Sequence, residues 1–155
     1  MRNTFIEEII KKIDNDDKVL FLCADIGWQF KKIRDKHPNN YINTGINEQG
    51  LVGLAAGLAH EGFKPYVYGI TSYLMERALE FVKLDVVANK ENVKIIGFGD
   101  YPNSGITHQT PYDTKLCDLI GLDYYTPQSK NGLIKCLDEM YKLDKPHFLK
   151  LKRLE

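Results

Sequence analysis

Two unbroken apolar runs, residues 18–24 (KVLFLCA) and 93–98 (VKIIGF), constrain the fold of this chain more than any other feature. A strand with one wet face alternates apolar and polar residues, whereas an unbroken run needs cover on both faces, as in a parallel sheet. Helical spacing fills the intervals. Phe5, Ile6, Ile9, Ile10 and Ile13 recur on one helical face until Asp14-Asn15-Asp16-Asp17 breaks the pattern. A turn at 43–45 leads into a helix over 46–61 closed by Gly62, and 65–70 reads as the next strand. Thr71 or Ser72 would cap a helix that turns Leu74, Ala78, Phe81, Val82 and Val86 inward. After the second apolar run come a long loop (99–111), a short helix (114–120), a strand (123–126), a helix (129–143) and a last strand (146–152). Strands and helices taking turns predict an α/β fold: three layers, doubly wound, with a mainly parallel sheet. The 155 residues suit one domain, which at this size buries roughly 70% of its unfolded surface.

Charge and cysteine usage narrow the function. Lys plus Arg and Asp plus Glu each number 21, so no net field draws the chain to nucleic acid or acidic lipid. The short basic end, Lys150 to Arg153 beside Glu155, reads as a solvated tail. Cys23, Cys117 and Cys136 are far apart and form no Cys-x-x-Cys or zinc-spaced cluster. That usage points to a reducing, cytoplasmic setting. Glu7 and Glu8 interrupt any signal-peptide core, and no apolar stretch is long enough to span a membrane.

In a parallel sheet the loops after the strands gather along one edge, where ligands of open α/β folds bind. Three loops with unusual chemistry should meet there: Asp25-Ile26-Gly27, Thr44 to Gln49, and Gly99 to Gln109. The helix that follows the second loop carries Gly50, Gly53 and Gly57, each costing about 1 kcal/mol relative to Ala in a helix interior. With Ala55, Ala56 and Ala59 beside them, these glycines suggest a smooth surface that a flat ligand or a second backbone approaches closely. Glu48 lies in the first turn; alone, it would be a solvated carboxylate favoured by the helix N-terminus. Tyr73, alone, is a core or interface aromatic, and Asp25 a turn-capping residue. Of four histidines only His108 sits in a Gly-rich loop among polar residues; an imidazole there can donate and accept protons near neutral pH.

Three segments carry a family resemblance. Gly45-Ile46-Asn47-Glu48-Gln49 with Ala55-Ala56-Gly57-Leu58-Ala59 resembles the Gly-Ile-Ala-Glu-Gln…Ala-Ala-Gly-Leu-Ala of transketolases. Ile70-Thr71-Ser72-Tyr73-Leu74 with Arg77-Ala78 resembles their Phe-(Ser/Thr)-x-Phe-Leu-x-Arg-Ala stretch. Gly105-Ile106-Thr107-His108-Gln109 resembles their Gly-x-Thr-His-Gln loop. The resemblance runs from about residue 22 to 150 and implies a thiamine-diphosphate-dependent enzyme. In that family the glutamate, here Glu48, holds N1′ of the aminopyrimidine and helps generate the carbanion. The requirement is a carboxyl kept out of water and able to share a proton with a weakly basic ring nitrogen. The resemblance also implies that Ile70 and Tyr73 pack on the pyrimidine, Ile70 standing where an aromatic is usual, and that Asp25 lies near it. His108 would contact sugar hydroxyls. Asn103 and Ser104 replace acidic residues common before the family's glycine, and Thr126-Pro127 matches a Pro-x-Asp step loosely.

The family's diphosphate is held through Mg²⁺ by a Gly-Asp-Gly…Asn segment; Gly97-Phe98-Gly99-Asp100-Tyr101 has the wrong spacing. The expectation is that a separate diphosphate-binding chain carries those ligands, in an α2β2 heterotetramer with the Gly/Ala helix at the junction, and that the family's third domain is absent here. The implied reaction is two-carbon ketol transfer between sugars or sugar phosphates. A 2-oxo acid decarboxylase or dehydrogenase subunit and a non-catalytic binding subunit are the alternatives. A mononucleotide site is disfavoured, since no phosphate-cradling loop follows the first strand.

Overall fold

The computed structural model describes residues 1–99 and 104–152. The readings placed on Asp100, Tyr101, Asn103 and Arg153 lie outside those residues, while Lys150, expected in a solvated tail, is instead a buried residue of the last strand whose Nζ lies 2.7 Å from Asp113 Oδ2. Among the described residues six strands form one sheet: β1 (Val19–Cys23), β2 (Tyr41–Asn43), β3 (Lys64–Ile70), β4 (Lys94–Phe98), β5 (Tyr124–Tyr125) and β6 (His147–Leu151). Their order is β2-β1-β3-β4-β6-β5, and every pairing is parallel. The expected mainly parallel sheet is therefore parallel throughout the described residues.

Side-chain alternation along buried strands builds the other two layers. Phe21, Tyr68, Ile96 and Leu149 point to one face, where α1 (Arg2–Asn15) and α6 (Lys130–Lys142) cover them with Phe5, Ile9, Leu133 and Leu137. Leu22, Val67, Ile95 and Phe148 point to the other, under α3 (Glu48–His60), the helical segment 73–88 and α5 (Asp113–Ile120). Both faces are thus covered, as the unbroken apolar runs require. The central strands β1, β4 and β6 are buried at every position.

Four local features differ from the expectation. Residues 27–43 hold two 3-10 turns (Gly27–Phe30 and Pro38–Asn40), α2 (Lys31–Lys36) and the edge strand β2, whose three half-exposed residues leave no apolar run to read. The helix expected from 46 begins at Glu48, because Asn47 caps it by accepting a hydrogen bond from the Gly50 N–H at 3.1 Å. Neither Thr71 nor Ser72 caps the next helix: Ser72 is already helical, and its hydroxyl donates to the Thr107 carbonyl at 2.5 Å. That helix contains two π segments, Tyr73–Arg77 and Val82–Ala88, around α4 (Leu79–Phe81). Leu74, Ala78, Val82 and Val86 are fully buried as expected, while Phe81 is only partly so. No helix among the described residues is long and apolar enough to cross a membrane.

Candidate active site

The direction of winding reverses between β1 and β3: β1 is followed outward by β2, and β3 then returns to its other side, still parallel. Such a switch point opens a crevice beyond the strand ends. The loops after β1 and β4 meet there with the end of β3; of the three loops singled out in the sequence, 25–27 and 99–109 contribute lining residues, whereas 44–49 contributes none. Ile26, Gln29, Ile70, Phe98, Ser104 and His108 line a hollow of about 240 Å³. Apolar Ile26, Ile70 and Phe98 share its lining with polar Gln29, Ser104 and His108, the mixture usual in a small-molecule site.

Glu48 is only 6% exposed although it sits in a first helical turn, because the π segment lies over it. Its Oε2 accepts a hydrogen bond from Arg77 Nη1 at 2.9 Å. No described donor of the chain reaches Oε1. The Arg77 guanidinium lies 4.1 Å from the centre of the Tyr73 ring, a cation–π contact. The Tyr73 ring in turn meets the His108 imidazole edge-on, with centroids 5.3 Å apart. His108 belongs to a 3-10 turn, Ile106–His108, which the Ser72–Thr107 hydrogen bond ties to the end of β3. Thr107 Oγ1 lies 3.0 Å from His108 Nδ1. Glu48, Tyr73 and His108 are therefore one contiguous set of contacts through Arg77, and Ile70 joins them at the hollow His108 lines.

Asp25 stands apart from these contacts. It is exposed, adopts φ +62°, and its side chain makes no hydrogen bond to any described residue. The turn-organising role open to it falls to Asn43, whose Oδ1 accepts from the N–H groups of Asp25 at 3.2 Å and Gly45 at 2.9 Å. Asn43 also explains Gly27: a Cβ there would lie 2.5 Å from Asn43 Nδ2 and would collide with the Tyr41 hydroxyl as well.

Two site residues escape the sequence reading. Arg2 donates to Gln29 Oε1 at 2.5 Å and rests its guanidinium 5.6 Å from the Phe98 ring centre. Gln29 and Phe98 both line the hollow, and Arg2 makes no ion pair with any described carboxylate. Among the described residues no carboxylate neutralises this cation at the rim, next to a second hollow of about 260 Å³ bordered by Lys31 and Lys32. No signal in the sequence distinguishes Arg2 from an ordinary helix-start arginine; only folding brings α1 beside the end of β4.

The outer surface of α3 also differs from expectation. Ala55, Ala56 and Ala59 turn inward onto the sheet, and it is Gly50, Gly53, Leu54 and Gly57 that face outward or lie half-buried. The 3.6-residue period separates the two sets. Trp28, Ile46 and Ile106, on the loops around the strand ends, are 76%, 72% and 86% exposed, an apolar fringe beside the site. Among the described residues no three His, Cys, Asp or Glu side chains gather to hold a metal.

Chemically, a buried carboxylate with one free oxygen, an aromatic face and a branched aliphatic surface fit a flat heteroaromatic ring bearing a weakly basic nitrogen. An imidazole and a cation farther out fit a polar, anionic substrate. Comparison with known proteins agrees in kind. The family model for the transketolase pyrimidine-binding domain matches residues 1–155. The chain is 35% identical over 144 residues to 1-deoxy-D-xylulose-5-phosphate synthase of Clostridium perfringens, covering 89% of this chain and 22% of that protein. It is 40% identical over 121 residues to one of the subunits of the apulose-4-phosphate transketolase of Phocaeicola vulgatus, covering 72% of this chain and 38% of that one. Among solved structures, a split-gene transketolase described as an inactive β4 tetramer superposes with a TM-score of 0.89 at 23% identity, over 98% of this chain and 51% of that one. The chain thus spans about half or less of the length of these proteins.

Proposed function

The chain belongs to the transketolase pyrimidine-binding domain family, and from that premise we propose that it is the pyrimidine-binding subunit of a split transketolase-like enzyme. It works with a separate chain that holds the diphosphate of thiamine diphosphate through Mg²⁺, in an α2β2 assembly. The reaction is transfer of a two-carbon ketol unit from a ketose to an aldehyde acceptor. When bound, the coenzyme supplies the carbon nucleophile for that transfer.

This chain contributes four things. Glu48 presents Oε1 to the ring nitrogen from a site largely shielded from water, so that a proton can be shared there. Tyr73 and Ile70 give the ring its flat support. His108, held by the Thr107 contact and the Ser72 tether, exchanges protons with substrate hydroxyl and carbonyl oxygens. Arg2 with Gln29 receives the anionic end of a phosphorylated sugar. The apulose-4-phosphate relative, which is itself one subunit of its enzyme, supports both the sugar-phosphate class and the need for a partner. We place the partner against the glycine face of α3 and the Trp28, Ile46 and Ile106 fringe, and the complex in the cytoplasm, where the three free cysteines stay reduced.

The observation that carries the proposal is the buried Glu48 carboxylate with Arg77 as its single partner among the described residues. The test is a carbanion-trapping assay with the partner chain and thiamine diphosphate, run against a panel of sugar phosphates and 2-oxo acids. Turnover of ketose phosphates that vanishes in Glu48→Gln is the expected result. Turnover of 2-oxo acids alone would make it a decarboxylase subunit, and activity surviving Glu48→Gln would remove Glu48 from the chemistry.

A further inference from the structure

We propose that Arg77 is a positioning residue that acts through Glu48, fixing one carboxylate oxygen so that the other faces the coenzyme ring. The inference rests on the reading of Glu48 given above and adds the group that makes its geometry possible.

Three observations carry it. First, the pair is asymmetric: the Glu48 side chain is 7% exposed and the Arg77 side chain 45%. An ion pair between two exposed side chains contributes little. Here the carboxylate is the buried partner, and it would be left without any described hydrogen bond if the arginine were removed, a costly state for a charge out of water. Second, the guanidinium is fixed at two points, by Glu48 Oε2 at 2.9 Å and by the Tyr73 ring at 4.1 Å, which leaves it little freedom to swing. A carboxylate held through one oxygen by such a group has its plane and its second oxygen set as well. Third, the backbone is deformed where the contact is made. Tyr73–Arg77 is a π turn, closed by the Ala78 N–H bonding to the Tyr73 carbonyl at 3.2 Å. Inserting an extra residue into a helical turn is rare and concentrates at functional sites. This insertion shifts Arg77 from the position of a regular helix to one where it stacks over Tyr73 and reaches α3 at Glu48. Arg77 thereby aligns both the acid and the aromatic support, while touching neither coenzyme nor substrate in this assignment.

A double-mutant cycle in the assembled complex tests the assignment, with Arg77→Met, Arg77→Lys, Glu48→Gln and the double variant. The readouts are the dissociation constant for thiamine diphosphate by calorimetry, kcat and KM, and urea denaturation of each variant. Arg77→Met should weaken coenzyme binding and lower kcat about tenfold or more each, with KM for the sugar changing by less than about twofold. Arg77→Lys, which keeps the charge but not the planar fork, should recover part of both. In the Glu48→Gln background, where no charge needs holding, Arg77→Met should change coenzyme affinity less than about twofold. The double variant lacks the buried charge and so guards against Arg77→Met failing only because it unfolds. Equal effects of Arg77→Met in both backgrounds would overturn the positioning role and leave the reading of Glu48 standing. Full activity in Glu48→Gln would remove both together.

Discussion

A single methyl group on the outer face of α3 distinguishes what that helix does in the free chain from what it would do in the proposed complex. Gly57 is exposed in the interior of α3, and a Cβ built there meets nothing within 4 Å. Its φ lies outside the left-handed range, so an alanine fits without backbone strain. In the free chain Gly57→Ala should therefore act through helix propensity and the unfolded state alone, stabilising by about 0.5–1 kcal/mol. For a chain of this size that raises Tm by about 1–4 °C. In the complex the sign reverses if the glycine face is the close-packed junction with the partner. An inserted methyl in a well-packed contact costs about 1–3 kcal/mol. At tenfold per 1.4 kcal/mol, that weakens assembly by about 5-fold to 150-fold. Thermal or urea unfolding of the chain alone and calorimetric titration with the partner give the two numbers. Gly53→Ala is the companion variant, since its Cβ would stand 3.6 Å from Phe81 and 3.7 Å from Asp85, ordinary contact distances. A free chain destabilised by Gly57→Ala would refute the open-face reasoning, and unchanged assembly would refute the position of the junction.

Gly97→Ala should do the opposite in the free chain: its Cβ would lie 2.7 Å from both Phe148 Cε2 and Thr71 Oγ1, beneath the turn that carries Ser72. Overpacking of this kind costs about 1–3 kcal/mol and should lower Tm by about 2–12 °C, whereas an unchanged Tm would mean that the Phe148 ring yields freely. Burial brings the Lys94 ammonium down to about 7, although the Leu143 and Lys145 carbonyls accept from it at 2.8 and 2.6 Å. Between that pH and the ordinary lysine range near 10.4 the unfolded chain binds the extra proton, so stability rises with pH by at most about 1.4 kcal/mol per unit, and below it this contribution is flat. His147, lowered chiefly by burial and then by the Lys94 charge, adds a loss of stability as pH falls through the usual histidine range. Lys94→Met should flatten the slope of unfolding free energy between pH 7 and 9 (about two units), and an identical slope in the variant would acquit Lys94. Arg2→Ala should raise KM for phosphorylated substrates about tenfold or more while leaving kcat within about twofold, and an unchanged KM would take Arg2 out of substrate recognition.

The parts of this molecule that are legible in its sequence are those that local physics dictates. Unbroken apolar runs at 18–24 and 93–98 correspond to the buried strands β1 and β4, and the helical spacing of Phe5 to Ile13 corresponds to α1. Glu48, Tyr73, Ile70 and His108 were legible because their segments resemble one family's in order and spacing, and folding brings them together through Arg77 and around the hollow. What was not legible depends on geometry across the fold. β2 is too short and too exposed to imprint a period. The π turn at Tyr73–Arg77 leaves only one trace, two residues (Met75 and Glu76) between Leu74 and Arg77 where the resembling stretch has one, and that the shift carries Arg77 onto Glu48 is invisible until α3 is in place. Asp25 and Asn43 lie in adjacent parallel strand ends, and which of them organises the turn follows from the register of Cys23 with Asn43.

The proposed chemistry requires the second oxygen of Glu48 to be reserved for the coenzyme. The most direct measurement is a crystal structure of this chain assembled with the proposed diphosphate-binding partner and thiamine diphosphate. The result expected is Glu48 Oε1 within hydrogen-bond reach of the aminopyrimidine N1′, with Arg77 still on Oε2 and Tyr73 against the ring. A coenzyme seated elsewhere, with the Glu48–Arg77 pair facing open water, would contradict it.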